Sequence, residues 1–329
     1  MYNLQAYHGF YNAEDARRWG RSEMPEQLAV TQHWLHKVGL EDAQCVVLEL
    51  GCGSGPLSRI HKNYIGLEFS FTALKNFANG AKRINGDMQA LPLQDNSVDF
   101  MFSWAALEHV PYPERVLAEV ERVLKVGGVA LLAPAWHVRP WAAKGLPIRP
   151  YHALHWGDRI RKASIPLRNS LVWRALFATP ARLYREIRGF WSRELAFGYR
   201  RLTPNLQEYI YTDCDAFTSM DPHTAILYFK SRAWRVLSHK TLLSRMLARH
   251  EPVVVCNSLA AGSIMHQKPG QRIKSSTALL ARHTRRMGAF LKKTALVKHA
   301  DGIEARQRAG HIRPQPDAQY SGIPVRPSK

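Results

Sequence analysis

The chain has 329 residues, 46% of them hydrophobic and 22% charged, which is enough to bury a core in one medium domain with additions or in two small domains. It opens on no charged segment followed by an apolar stretch and holds no run of about 18 apolar residues, so neither a secretory signal nor a membrane-spanning helix is expected. Its net charge of +20 is uneven: −3 over 1–134, +10 over 135–210, +2 over 211–266 and +11 over 267–329, a pattern that points to an anionic partner such as phospholipid, nucleic acid or a phosphorylated substrate.

Residues 1–23 are aromatic and polar without clear periodicity. Met24 to Val38 predicts a helix, with Leu28, Leu35 and Val38 on one face and Pro25 near its start. Gln44 to Leu50 reads as a buried strand running into Gly51. Tyr64–Phe69 is a second strand, Ser70 a cap for a helix to Ala78, and Arg83–Asn85 a third strand. Val98–Ser103 is a fourth, entered through Asp95-Asn96-Ser97. Pro113 to Lys125 predicts a helix stopped by Gly127-Gly128, and Val129–Ala133 a fifth strand. Residues 135–220 break the rhythm. It resumes with Asp221 as cap and Pro222 at the first helical position, a helix to about Ala233, strands at Arg235–Ser238 and Pro252–Asn257, and a helix near Leu242–Arg249 between them. From about Gln267 the chain is basic, and a disordered tail with transient helix around Ala278–Val297 is expected.

This alternation implies an α/β fold, a doubly wound seven-stranded mixed sheet with a helical basic insertion after the fifth strand. The divisions are 1–40, an N-terminal helical segment; 41–134, the core; 135–220, the insertion; 221–262, the rest of the sheet; and 263–329, the tail.

Gly51, Gly53 and Gly55 form a G-x-G-x-G between strand and helix, where backbone turns sharply and approaches a ligand. Pro56 occupies the position where a nicotinamide fingerprint needs its third glycine, and no Gly-Lys-Ser/Thr follows for a phosphate loop. Glu68, seventeen residues after Gly51 at the end of the second strand, can accept two ribose hydroxyls. Asp87 follows the third strand, so both acids point at one crevice.

With Leu48-Glu49-Leu50-Gly51-Cys52-Gly53-Ser54-Gly55, Gly66-Leu67-Glu68-Phe69-Ser70, Gly86-Asp87 through Leu91-Pro92-Leu93-Gln94-Asp95-Asn96-Ser97-Val98-Asp99, Leu107-Glu108-His109-Val110 and Glu121 through Gly128, the chain resembles the class I S-adenosylmethionine (SAM)-dependent methyltransferases, in particular the type-11 methyltransferase domain. The resemblance spans about residues 40–135 and more weakly 221–257; Val126 stands where the family has proline. It implies a Rossmann-like fold and SAM as cofactor. Glu49 with the backbone at Gly51 and Gly53 would hold the methionine moiety, and Glu68 would bind the ribose hydroxyls; Cys52, Gly55 and Phe69 are further expected cofactor contacts. Asp87 and Met88 would meet adenine, and Ser103 would face the methyl donor.

Methyl transfer from a sulfonium needs mainly a positioned acceptor and excluded water. His109 is the candidate general base for a hydroxyl acceptor, although the same Leu-Glu-His-Val occurs in this family without implying a base. Asp213-Cys214-Asp215 through Asp221-Pro222-His223 could line the cleft or serve as caps and turns. Base-amine methylating relatives carry Asn/Asp-Pro-Pro-aromatic where this chain has Ser103-Trp104-Ala105-Ala106, which argues against that acceptor.

The insertion holds five tryptophans among fourteen Lys and Arg. Within Thr179–Ala196, Leu183, Tyr184, Ile187, Phe190 and Trp191 share a helical face, with Arg182, Arg185 and Arg188 outside it. Two arrangements are open. The apolar stripe could meet a membrane interface, or it could pack on the sheet or roof the cleft while the arginines stay solvated. The reading is a transferase acting on a small-molecule, glycan or lipid-linked acceptor at an anionic membrane surface reached by 159–195 and the tail. The alternatives are an RNA methyltransferase or a non-catalytic SAM-fold binding protein. Cys45, Cys52, Cys214 and Cys256 lack paired metal spacing, so no metal is expected and a cytoplasmic location, peripheral on the inner face of the membrane, is.

Overall fold

The computed structural model describes residues 4–13, 24–75, 77, 80–192, 194–207 and 212–258. The chain divides after Ile264, and all described residues lie in the first unit; the predicted tail and its helix fall outside them. The first half runs α1 (Leu4–Asn12), α2 (Pro25–Val38), β1 (Val47–Leu50), β2 (Tyr64–Glu68), α3 (Phe71–Lys75), β3 (Lys82–Asn85), β4 (Val98–Trp104), α4 (Pro113–Val123) and β5 (Leu124–Ala133). The insertion holds α5 (Trp156–Ala163), α6 (Ile165–Asn169), α7 (Leu171–Trp173), α8 (Thr179–Trp191), β6 (Tyr199–Arg201) and β7 (Thr218–Met220). The sheet is completed by α9 (Pro222–Ser231), β8 (Arg235–Val236), α10 (Leu242–Leu247) and β9 (Val253–Cys256).

The main sheet has the order β3-β2-β1-β4-β5-β9-β8. Strands β1 to β5 are parallel, and β9 runs antiparallel to both β5 and β8. All four residues of β1 are buried, as an apolar run covered on both faces requires. Leu48 and Leu50 join one core cluster with Met101, Val116, Leu117, Val120, Ile226 and Phe229, so α4 and α9 cover that face. Val47 joins the other with Tyr64, Phe100, Phe102 and Leu35, so α2 covers the opposite face. The order of connection reverses between β1 and β4, which opens a crevice at the strands' carboxyl ends.

Two expectations shift. The helix after Pro113 ends at Val123, because Leu124 is already extended and opens β5. Gly127 and Gly128 therefore lie within the strand instead of stopping the helix, and Gly127 donates to Asn257 O at 2.7 Å. The Leu-Pro-Leu and Glu-Arg-Val-Leu motifs also lock together. The Arg122 guanidinium donates to the carbonyls of Leu91 and Leu93 at 2.9 and 2.8 Å, and Glu119 accepts from Leu91 N at 2.6 Å.

The insertion departs most from expectation. None of residues 155–181 is buried. In α8 the apolar stripe faces outward, the first of the two arrangements left open: Leu183, Tyr184, Ile187 and Trp191 are 48%, 65%, 56% and 84% exposed, while Arg182 and Glu186 are buried. Arg182 pairs with Asp221 at 2.7 Å and donates to Met246 O at 2.7 Å; Glu186 pairs with Arg245 at 2.7 Å. Polar side chains thus dock α8 onto α9 and α10, and the apolar stripe faces away. A stripe packed on the sheet with solvated arginines is excluded. Among the described residues no helix is long and apolar enough to cross a membrane.

Candidate active site

The glycine loop turns through left-handed backbone, with φ of 76° at Gly51, 55° at Gly53 and 76° at Gly55. Gly51 N donates to Leu67 O at 2.8 Å, which draws the loop over the end of β2. A Cβ at Gly51 would lie 2.4 Å from the Ala106 Cβ, so only glycine fits. Glu68 closes the loop: its two carboxylate oxygens accept from Gly53 N and Ser70 N, each at 2.8 Å. Each oxygen keeps a lone pair, so the pair of hydroxyls of a ribose fits this carboxylate. Burial raises the Glu68 pKa, and the backbone donors from Ser70 and Gly53 work against that.

Other residues named from the sequence divide between this crevice and the interior. Asp87 sits after β3 and accepts from Gln89 N at 2.8 Å, and Met88 is buried beside it. Phe69 packs against Tyr7, with ring centroids 4.9 Å apart. Glu49 is buried, and its carboxylate accepts from the Tyr64 hydroxyl. Burial pushes its pKa up to about 8 although that hydrogen bond lowers it. The Cys52 thiol points inward, where a Cβ on Gly66 would lie 2.7 Å from its sulfur. Ser103 is fully buried one residue before β4 ends, and its hydroxyl donates to Leu50 O at 2.9 Å, tying β4 to β1.

His109 follows β4 in the short turn Leu107–His109. Strands β6 and β7 carry the preceding loop across to it: Phe217 N donates to Glu108 O at 2.9 Å. This brings Asp215 Oδ2 to 3.2 Å from His109 Nδ1. The Tyr11 hydroxyl, from α1, donates to the same Asp215 oxygen at 2.9 Å. Burial alone would lower the His109 pKa, but Asp215 and then Glu108 raise it to about 10. Asp215 and Glu108 thus favour the protonated form of His109 in this arrangement. Burial raises Glu108 to about 7, opposed by His109. Asp221, by contrast, is the helix cap its sequence suggested, accepting from His223 N at 3.0 Å. Tyr11 and Tyr64 carry no local signal; Arg122 stood in a quoted motif without a role, and Asp213 and Asp215 were visible as acids near the resumed sheet.

Residues 48–132 match the family described as a methyltransferase domain. This stretch is a class I SAM-dependent methyltransferase domain. The methyltransferase domain is 29% identical over 117 residues to a sterol 24-C-methyltransferase of Gibberella zeae, covering 31% of this chain and 30% of that protein. It is 32% identical over 119 residues to the sterol 24-C-methyltransferase of Schizosaccharomyces pombe, covering 32% and 31%. The chain thus spans about a third of the length of these curated relatives. A solved SAM-dependent methyltransferase from Aquifex aeolicus is 18% identical, with a TM-score of 0.32, over 39% of this chain and 75% of that one.

Proposed function

We propose that the chain transfers a methyl group from SAM to a small-molecule or lipid-linked acceptor taken from an anionic membrane surface. When bound, SAM supplies an activated methyl on sulfur. Gly51 and Gly53 bring backbone to it, Glu68 holds its ribose, and Asp87 and Met88 border its adenine. Tyr7, Tyr11, Phe69 and Phe217 pack together, with Tyr11 against His109, and would help exclude water. His109, fixed by Asp215, presents a charged donor there and orients an acceptor oxygen.

The observation that carries the acceptor class is the outward apolar face of α8. Exposed Trp156, Leu171, Phe177, Ile187 and Trp191 lie in a segment where Arg159, Arg161, Arg168 and Arg188 are also exposed. Apolar side chains set among cations suit the headgroup boundary of anionic lipid, where each well-placed cation adds about 1 kcal/mol. Relatives named for sterols are consistent with an acceptor of low polarity. Vesicle flotation tests this reading: binding should need anionic lipid and fall severalfold in Ile187→Asp/Trp191→Asp. Salt-sensitive RNA binding without flotation would reject it in favour of an RNA acceptor. Calorimetric titration with SAM should show binding that Glu68→Ala weakens severely; wild-type affinity in that variant would reject the ribose assignment.

A further inference from the structure

Glu108 is fully buried, and neither carboxylate oxygen has a hydrogen-bond partner. His109, with Nε2 at 3.7 Å, and the backbone N–H groups of Glu108 and Ala135 offset its burial only in part. A buried carboxylate left in this way costs several kcal/mol unless something compensates it. One candidate is at hand. Single ligand atoms from Glu108, His109 and Asp213 all lie within 4.8 Å of one another. Metal–ligand bonds of about 2.0–2.2 Å place neighbouring ligand atoms roughly 3–4 Å apart, so the three groups need only a small contraction to share an ion.

The imidazole is placed for this, and an ion would displace the proton that its carboxylate neighbours favour in the metal-free chain. Its Nδ1 faces Asp215 at 3.2 Å, and its Nε2 faces Glu108 Oε1 at 3.7 Å. A carboxylate behind one ring nitrogen that leaves the other nitrogen toward the ion is the usual outer support of a histidine ligand. Tyr11 in turn holds Asp215 through its hydroxyl.

We propose that Glu108, His109 and Asp213 form a divalent-cation site, with Asp215 as the positioning residue behind His109. Two carboxylates and one imidazole favour a borderline ion such as Mn2+, Fe2+, Co2+ or Zn2+ over Ca2+ or Mg2+. Three protein ligands leave at least one position open beside the Glu68 crevice. An acceptor oxygen would complete the coordination there; this role, unlike the site itself, rests on the proposed transfer reaction.

The test is titration of the metal-free full chain with Mn2+, followed by electron paramagnetic resonance, with Zn2+ as competitor. One ion should bind per chain and be displaced by Zn2+. Glu108→Gln and Asp213→Asn should each weaken binding at least tenfold, and Asp215→Asn by about 10–100-fold. Circular dichroism checks that the variants fold, and if Glu108→Gln does not, the more accessible Asp213→Asn decides alone. Absence of saturable binding, or undiminished binding in a folded Glu108→Gln or Asp213→Asn chain, overturns the site. SAM titration of the same samples without metal reports the transfer reading separately, so the two can fail independently.

Discussion

Removing the Arg182 side chain should damage this protein far more than removing any apolar side chain from the exposed face of α8. Arg182 is 8% exposed and donates to both oxygens of Asp221, at 2.7 and 3.3 Å, and to Met246 O at 2.7 Å. Arg182→Ala leaves the largely buried Asp221 with the His223 N–H and, as its paired cation, the half-exposed Arg185 at 3.1 Å. Breaking a buried pair by deleting one partner costs about 3–5 kcal/mol. Ile187→Gln, on a side chain 56% exposed, should fall within about 0.5 kcal/mol of wild type. Urea unfolding followed by circular dichroism measures both. The pH dependence adds a second check. Burial would raise the Asp221 carboxyl, but Arg182 holds it below the ordinary carboxylate range. The stability so gained is present above the unfolded pKa of about 3.9 and is lost as pH falls through the lower folded value. The gap between wild type and Arg182→Ala should therefore narrow below about pH 4. An unfolding free energy for Arg182→Ala within about 1 kcal/mol of wild type, beside a large loss for Ile187→Gln, would refute the outward orientation of the apolar stripe of α8.

Gly51→Ala should cost about 2–5 kcal/mol, combining left-handed backbone with overpacking against Ala106, and thermal unfolding of Gly51→Ala/Ala106→Gly should recover the packing part only; full recovery would contradict the backbone part. The raised pKa of Glu49, about 8, means the cofactor-free fold keeps a proton that the unfolded chain releases near pH 4.5. Its stability contribution is full below that pH and is lost as pH rises through 8, by roughly 5 kcal/mol at most. Glu49→Gln should flatten the melting temperature between pH 5 and 9, and an unchanged slope would reject the assignment. Tyr11→Phe keeps the ring but removes the donor to Asp215, so it should leave SAM affinity within twofold and reduce methyl transfer; equal loss of both would show that α1 serves only to hold the fold.

Much of the sheet was legible in the sequence because its signals are local. Apolar runs mark β1, β4 and β9, the glycine loop takes the positive φ that glycine tolerates, and Asp221-Pro222 starts α9 through its own side chain. The cofactor crevice followed, since Glu68 and Asp87 sit at the ends of adjacent strands. Tertiary structure decided the rest. The period of α8 separates an apolar from a charged face but cannot say which one docks; Asp221 and Arg245, 39 and 59 residues from their partners in α8, made it the charged one. The cluster at His109 has no spacing to read, because Asp213 and Asp215 reach it only through the β6–β7 pairing. Local sequence specifies a strand or a turn, whereas a buried ion pair or a shared ligand set exists only once distant segments have packed.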